Sequence, residues 1–225
     1  MLHIGVGAFH RAHQAVYTEE AMAAAGGDWG IVAVAPRSAD LVAQLRAQDH
    51  LYSVTSRSGD SSRTRVVGAL TGTRHLPTEA DDVLRLFADP AIKVVTLTVT
   101  EKAYRLDPAT GTLRMDEEVR ADLAAQRAPV TIPGLLVRGL RARAAAGSPP
   151  IAIVCCDNLP GNGAGSVGWS SSPPTAASVI GSPIPARWWT ASFRPAHHPR
   201  CSVPRPHSGS ATSRPSTPKP IGSGC

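Results

Sequence analysis

Two glycines, Gly5 and Gly7, stand between a short apolar stretch, Leu2–Ile4, and a run of helix-forming residues, 12–25. A glycine turn between a strand and a helix brings backbone N–H groups to one point, an arrangement that suits the pyrophosphate of a dinucleotide. Gly5 would permit the tight turn and Gly7 the close approach of the ligand, but His10 replaces the third glycine of the usual pattern. The spacing leaves two interpretations open, a dinucleotide site and a turn that serves only the fold.

The second apolar stretch, Ile31–Ala35, is followed by Arg37. Dinucleotide-binding domains normally carry an acidic residue at this place, where it binds the adenosine ribose. An arginine can instead contact a 2′-phosphate, so Arg37 makes NADP a candidate cofactor. The alternative is a solvated loop arginine.

A third group of polar residues, in the sequence TVTEKAY at 98–104, follows the predicted core strand 93–100. Open α/β sheets bind their ligands at the carboxyl ends of strands. Glu101 and Lys102 are therefore predicted either to lie at the edge of a cofactor or to form an exposed ion pair. The three histidines near the N-terminus, His3, His10 and His13, lack cysteine or carboxylate partners at ligand spacing, so no metal site is predicted.

These residues need a parallel sheet to bring them together, and the apolar pattern predicts one. Short β-branched runs alternate with helix-forming segments, the pattern of a doubly wound α/β fold. The predicted strands are Leu2–Ile4, Ile31–Ala35, 93–100 and 151–156, and the predicted helices are 12–25, 39–48, 79–87 and 132–146. A β-hairpin is predicted from 51–57 and 64–73, joined by SGDSS, and the sequence LDPATGTL contains a second turn.

The composition divides the chain in two. Residues 1–163 contain all 17 acidic residues and 17 of the 23 basic ones, whereas residues 164–225 have no acid, no leucine and 11 of the 20 prolines. Such a segment cannot bury enough apolar surface to offset its chain entropy. We expect one α/β domain over 1–163 and a disordered tail over 164–225. The tail's six basic residues are too sparse to favour a nucleic-acid-binding arm, which remains the alternative.

The cysteines and the N-terminus bear on the compartment. The four cysteines, Cys155, Cys156, Cys201 and Cys225, include no C-x-x-C pair, which favours a reduced cytoplasm. The N-terminus lacks the pattern of a signal peptide, and no apolar run has the length of a membrane span. The sequence therefore predicts a cytoplasmic protein without a membrane partner, and it predicts nothing about the oligomeric state.

Four motifs in one order point to a known family. The sequences GVGAFHRAHQ, LTVTEKAY, DPATG and CDNLPGNG closely resemble the N-terminal domain of the long-chain mannitol dehydrogenase family, which includes mannitol 2-dehydrogenase, fructuronate reductase and tagaturonate reductase. The resemblance covers about residues 2–164. It implies a zinc-independent oxidoreductase that uses NAD or NADP to interconvert a sugar alcohol or aldonate with its keto form.

The resemblance also implies roles for individual residues. Asn158 of the CDN motif is expected to position the reacting oxygen, to which its amide N–H can donate; a plain turn residue is the alternative. The expected cofactor-binding residues are Gly5, Val6, Gly7, Ala8, Phe9, Arg37, Thr98, Thr100, Glu101 and Lys102.

The chain departs from the family's pattern most clearly after residue 163. The family's catalytic lysine, in a K-x-x-x-x-N-x-x-H pattern, has no counterpart there, because Lys219 is the only lysine in that segment. We therefore expect a cofactor-binding domain of a polyol or hexuronate dehydrogenase without turnover. A non-catalytic NAD(P)-binding module is the rival interpretation.

The tail itself suggests why the lysine is missing. Tryptophan has a single codon. When the reading frame is shifted one base upstream, the codons of Trp188, Trp189 and Thr190 therefore force the dipeptide Val-Asp. The flanking codons then allow Met-Val-Asp-Arg-Ile-Val-Pro, which resembles the V-D-R-I-x-P signature of the same family. We expect residues 164–225 to be a translation of the wrong frame, entered between Gly163 and Arg187.

Overall fold

The computed structural model describes residues 1–107, 109–110 and 112–157. Seven strands and six helices follow one another in these residues, in the order β1 (Leu2–Ile4), α1 (Ala8–Ala12), α2 (Gln14–Ala25), β2 (Ile31–Ala35), α3 (Ala39–Arg46), β3 (Tyr52–Ser58), β4 (Ser61–Val67), β5 (Leu70–His75), α4 (Leu76–Ala88), β6 (Val94–Leu97), α5 (Glu117–Leu123), α6 (Ile132–Ala145) and β7 (Ala152–Cys155). A short 3₁₀ helix, Glu101–Tyr104, follows β6. Asn158 and the tail lie outside the described residues.

Five of the strands form one parallel sheet in the order β5-β2-β1-β6-β7. In register, Leu2 lies between Val32 on one side and Val95 on the other. The strand order reverses its direction at β1 and β6, so the carboxyl ends of these two strands form the crevice where doubly wound sheets bind ligands. The predicted Rossmann-like α/β fold is confirmed.

Helices cover both faces of the sheet because the strand side chains alternate. Ile31, Ala33 and Ala35 point to one face, where they pack with residues of α2, α3 and the hairpin strands. Val34 belongs to the other face, with Leu2, Ile4 and apolar residues of α4 and α6. Strands that are buried on both sides in this way are apolar along their whole length, which is the pattern seen in the sequence.

The predicted second hairpin strand, 64–73, was wrong as one element. The hairpin ends with β4 at Val67, and β5 begins at Leu70 as an edge strand of the parallel sheet, beside β2. The break falls at Gly68, whose N–H donates to Glu19 Oε1 on α2 at 2.6 Å. Burial of Leu70 beside β2 outweighs continuation of an exposed hairpin, and Gly68 is the local signal in the sequence that marks this break.

Two helices also differ from the prediction. The helix expected over 12–25 begins at Gln14, after a separate five-residue helix, α1. Helix α5 was not predicted; it begins at Glu117, after the N-cap residue Asp116, whose carboxylate accepts a hydrogen bond from Val119 N–H at 3.0 Å. No helix among the described residues is long and apolar enough to cross a membrane.

Candidate functional site

A cleft of about 940 Å³ lies at the carboxyl ends of β1, β2 and β6. Its wall contains three loops that were predicted from the sequence to bind a cofactor. They are the glycine turn after β1, the loop with Arg37 after β2, and the loop with Thr98 after β6. The volume falls at the upper end of the range for small-molecule and cofactor sites. Parallel strands place these loops side by side because their carboxyl ends meet at one edge of the sheet.

Gly5 makes the tightest contact in the glycine turn. Its φ is +106°, and a Cβ at this position would lie 2.0 Å from the backbone oxygen of Thr98. The Gly5 carbonyl accepts hydrogen bonds from Gly7 N–H at 2.6 Å and from the Thr98 hydroxyl at 2.7 Å, and His3 Nε2 lies 3.1 Å away. Only glycine fits here, and the turn is fastened to β6.

Gly7 is in a different situation. Its φ is −74°, and a Cβ there would meet nothing closer than 3.9 Å, so no steric or conformational constraint of the protein requires glycine. The first helical hydrogen bond runs from Arg11 N–H to the Gly7 carbonyl at 3.1 Å, which leaves the N–H groups of Ala8 and Phe9 without helical acceptors. Neither residue lines the cleft, and the Phe9 side chain is 56% exposed. The expected role of Ala8 and Phe9 in cofactor binding therefore stays a prediction.

Arg37 lines the cleft with an exposed side chain. Its carbonyl lies 3.3 Å from His75 Nε2, which fastens the loop to the end of β5. Within the described part of the chain, the guanidinium makes no hydrogen bond or ion pair, so its donors are available to a ligand. The next residue, Ser38, caps α3 by accepting a hydrogen bond from Leu41 N–H at 3.2 Å.

The loop after β6 brings Thr98, Thr100, Glu101 and Lys102 to the cleft. Glu101 and Lys102 are both exposed, and no ion pair joins them in the described ranges. Thr98 N–H donates to the Ile4 carbonyl at 2.9 Å, which continues the pairing of β6 with β1. The loop therefore approaches the glycine turn through backbone pairing rather than through charged side chains.

Asp157 fastens this loop to the end of β7. Its carboxylate accepts hydrogen bonds from Val99 N–H at 2.7 Å and from the Tyr104 hydroxyl. Burial raises the pKa of Asp157, and the two hydrogen bonds oppose that shift. Burial also raises the pKa of Tyr104, with the hydrogen bond to Asp157 as the second cause. Asp157 lies within the CDN motif beside Asn158, but the sequence alone predicted no role for it.

Two buried histidines lie beneath the glycine turn. The rings of His3 and His10 stack with centroids 3.5 Å apart and planes 11° from parallel, and both residues are fully buried. Burial lowers the pKa of His10 to about 4 and that of His3 well below its usual value. Both rings are therefore neutral at pH 7. In the described ranges, no group of three or more histidine, cysteine or acidic residues is placed to hold a metal ion.

Several residues that line the cleft had no signal in the sequence. Arg105 and Arg114 come from the turn region after the 3₁₀ helix, and Thr131 comes from the start of α6. Arg105 adopts a left-handed conformation with φ of 54° and pairs with Asp116 at 2.5 Å. These positions depend on how distant loops fold back over the sheet, which no local pattern encodes.

The chain is similar to known sugar alcohol oxidoreductases. Residues 1–167 match the family described as the mannitol dehydrogenase Rossmann domain. Mannitol 2-dehydrogenase of Cereibacter sphaeroides is 42% identical over 168 residues, and D-mannonate oxidoreductase of Escherichia coli K12 is 34% identical over 168 residues. Each match covers 72% of this chain and 35% of the relative. The chain thus spans about a third of the length of these relatives.

Two solved structures show the same fold. Mannitol 2-dehydrogenase of Pseudomonas fluorescens, in a ternary complex with NAD and D-mannitol, superposes with a TM-score of 0.73 at 34% identity, over 84% of this chain and 38% of that one. A substrate-free D-sorbitol dehydrogenase superposes with a TM-score of 0.71 at 36% identity, over 80% of this chain and 39% of that one.

Proposed function

Because the chain belongs to the mannitol dehydrogenase family, we propose that residues 1–163 form the NAD(P)-binding domain of a polyol or hexuronate oxidoreductase. The observation that carries the proposal is the open position at Gly7. The protein itself does not need glycine there, whereas a ligand that approaches the backbone closely does. The N–H groups of Ala8 and Phe9 are the donors that such a ligand would meet.

Different residues around the cleft would bind different parts of the cofactor. The turn Gly5–Gly7 and the start of α1 would hold the pyrophosphate, and Thr98 and Thr100 would line the adjoining part of the cleft. Arg37 would bind a 2′-phosphate, so the domain should accept NADP as well as NAD. When bound, the nicotinamide supplies a hydride acceptor or donor for a substrate carbon.

Catalysis needs further groups. We propose that the amide of Asn158, which lies outside the described residues, donates to the substrate oxygen as negative charge develops there. The substrate would be a sugar alcohol or a hexonate. Residues 164–225 contain no K-x-x-x-x-N-x-x-H pattern, so the lysine that moves the hydroxyl proton in the family has no counterpart in this segment. We therefore expect binding of cofactor without turnover.

Cofactor titrations with Gly7→Ala and Arg37→Ala test the binding site. Gly7→Ala should leave the melting temperature almost unchanged, because its Cβ meets nothing within 3.9 Å, yet weaken both NADH and NADPH binding by about tenfold or more. Arg37→Ala should weaken NADPH binding alone, by about tenfold, the worth of one charge-assisted hydrogen bond. Binding is measured by the fluorescence of the reduced nicotinamide.

Arg57→Ala is the matched control for Arg37→Ala, because Arg57 is an exposed arginine on the hairpin strand β3 and does not line the cleft. It should leave both affinities unchanged. A wild-type chain that binds neither cofactor at millimolar concentration contradicts the proposed function. Equal loss of NADH and NADPH binding in Arg37→Ala contradicts only the role of Arg37.

We further propose that residues 164–225 come from a shifted reading frame. The abrupt loss of acids and leucine after 163 and the forced Val-Asp at Trp188 and Trp189 support this proposal. Resequencing of the gene should find an open frame that encodes a K-x-x-x-x-N-x-x-H pattern downstream. An early stop codon in that frame would contradict it. If the frame is open, the restored longer protein should oxidise sugar alcohols or hexonates, and the 225-residue chain should not.

A further inference from the structure

A chain of hydrogen bonds, buried at His3 and partly buried at Gln14, connects the glycine turn to side chains that do not line the cleft. Gln14 Nε2 donates to the hydroxyl oxygen of Thr96 at 2.9 Å, and that hydroxyl lies 2.7 Å from His3 Nδ1. His3 Nε2 in turn lies 3.1 Å from the Gly5 carbonyl and 3.0 Å from the Thr98 hydroxyl. The cleft wall contains Gly5 and Thr98 but none of the other three residues.

One assignment of donors and acceptors satisfies all the hydrogen bonds from Gln14 to Gly5. The Gly5 carbonyl can only accept, and the Thr98 hydroxyl already donates to it at 2.7 Å, so both leave His3 Nε2 to act as a donor. The Thr96 hydroxyl accepts from Gln14 and has one hydrogen to give. His3 Nδ1 lies 2.7 Å from the hydroxyl oxygen, whereas the Met1 sulfur, a weak acceptor, lies 3.9 Å away, so the hydrogen goes to His3 Nδ1. His3 must therefore be the neutral tautomer that carries its proton on Nε2.

His10 completes the arrangement. Its Nδ1 lies 3.2 Å from Gln14 Oε1, which can only accept, so this nitrogen carries the proton of the His10 ring. The ring lies flat on His3 in the place where the usual fingerprint has its third glycine. A helix that normally packs against the strand through glycine here packs through two stacked rings, which hold His3 against the turn.

We propose that His3, Gln14 and Thr96 are positioning residues for the cofactor-binding turn: they fix His3 as its Nε2–H tautomer, which holds the Gly5 carbonyl toward the protein interior. This inference rests on the proposed binding of NAD(P) at the turn. With the Gly5 carbonyl turned inward and occupied by three donors, no lone-pair oxygen of that residue faces an anionic ligand. These hydrogen bonds thereby hold the turn in a conformation that a pyrophosphate can approach.

Thr96→Val tests the proposal, because it removes the hydroxyl at nearly constant volume from a residue that does not line the cleft. NADH affinity should fall about tenfold. In metal-binding proteins, loss of a group that orients a ligating residue without touching the metal has an effect of this size. Thr96→Ser, which keeps the hydroxyl, should restore the affinity. Thr73→Val is the matched control: Thr73 is also a fully buried strand threonine, and its hydroxyl has no hydrogen-bond partner in the described part of the chain.

Nitrogen-15 NMR of the histidine rings gives a readout that does not depend on cofactor. The wild-type spectrum should show His3 protonated at Nε2 and His10 protonated at Nδ1. A His3 ring that is protonated at Nδ1, or a Thr96→Val variant with unchanged NADH affinity, would overturn the proposal. If the wild-type chain binds no cofactor, the proposed function fails, while the ring spectra still decide whether the proton arrangement is correct.

Discussion

Gly5→Ala is expected to destabilise the protein severely. A Cβ at this position would stand 2.0 Å from the Thr98 backbone oxygen and 2.8 Å from its carbonyl carbon, and backbone atoms cannot move aside as a flexible side chain can. The φ of +106° adds strain for any residue other than glycine. Relief would require separating β1 from β6 at the centre of the sheet. The expected cost, above about 4 kcal/mol, is a large part of the 5–15 kcal/mol that stabilises a typical domain.

Circular dichroism and thermal melting of the purified chain measure this effect. Gly7→Ala is the matched control, since it makes the same chemical change two residues away with no contact below 3.9 Å and φ of −74°. It should melt like the wild type. A Gly5→Ala chain that melts within a few degrees of Gly7→Ala would contradict the close approach of Gly5 to the Thr98 backbone.

Acid is expected to destabilise the protein well before its carboxylates titrate. His10, with its pKa lowered to about 4, stays neutral in the folded chain, whereas in the unfolded chain it takes up a proton near pH 6.5. The unfolded state therefore binds more protons, and stability falls as pH decreases from about 6.5 to 4. The loss from His10 is about 3 kcal/mol over this range. His3, whose pKa is lowered further, adds a loss in the same direction.

Two other groups with shifted pKa values change the stability in the opposite direction or at a higher pH. The raised pKa of Asp157 means that the folded chain gains a proton there earlier than the unfolded chain, so it contributes stability as pH falls. The pKa of the Met1 ammonium is lowered from 8.0, mainly by burial, so its loss of stability begins at higher pH. Asp157 therefore opposes the loss of stability in the window between pH 6.5 and 4, and the net fall expected there comes from the two histidines.

Urea denaturation at several pH values checks the prediction. The free energy of unfolding should drop between pH 6.5 and 4.5, and His10→Gln should show a shallower drop, because it removes one of the two titrating rings and can still pair with Gln14. His13→Gln is the control: His13 lies at the surface, with its ring tilted by 51° against that of Phe9 and the ring centroids 4.8 Å apart. A wild-type stability that is flat from pH 6.5 to 4.5 would contradict the burial of neutral histidines beneath the turn.

The sequence by itself predicted the fold class and the positions of most strands. Local properties sufficed for these features: a short β-branched run with a glycine turn and a helix after it is encoded within about 25 residues. The turn, Arg37 and the loop at 98–104 could be placed at the carboxyl ends of strands for the same reason. Their meeting in one cleft follows from the parallel order of those strands, which the motif resemblance also implied.

Only the tertiary structure decided how these pieces are held. Gly5 and Thr98 are 93 residues apart, and Val99 and Asp157 are 58 apart, so no local preference could show that each pair is in contact. The stacking of His10 on His3 depends on how α1 lies over β1, and the separation of β4 from β5 depends on burial of Leu70 beside β2. Local preferences act over a few residues, whereas these contacts are selected by the packing of the whole sheet and its helices.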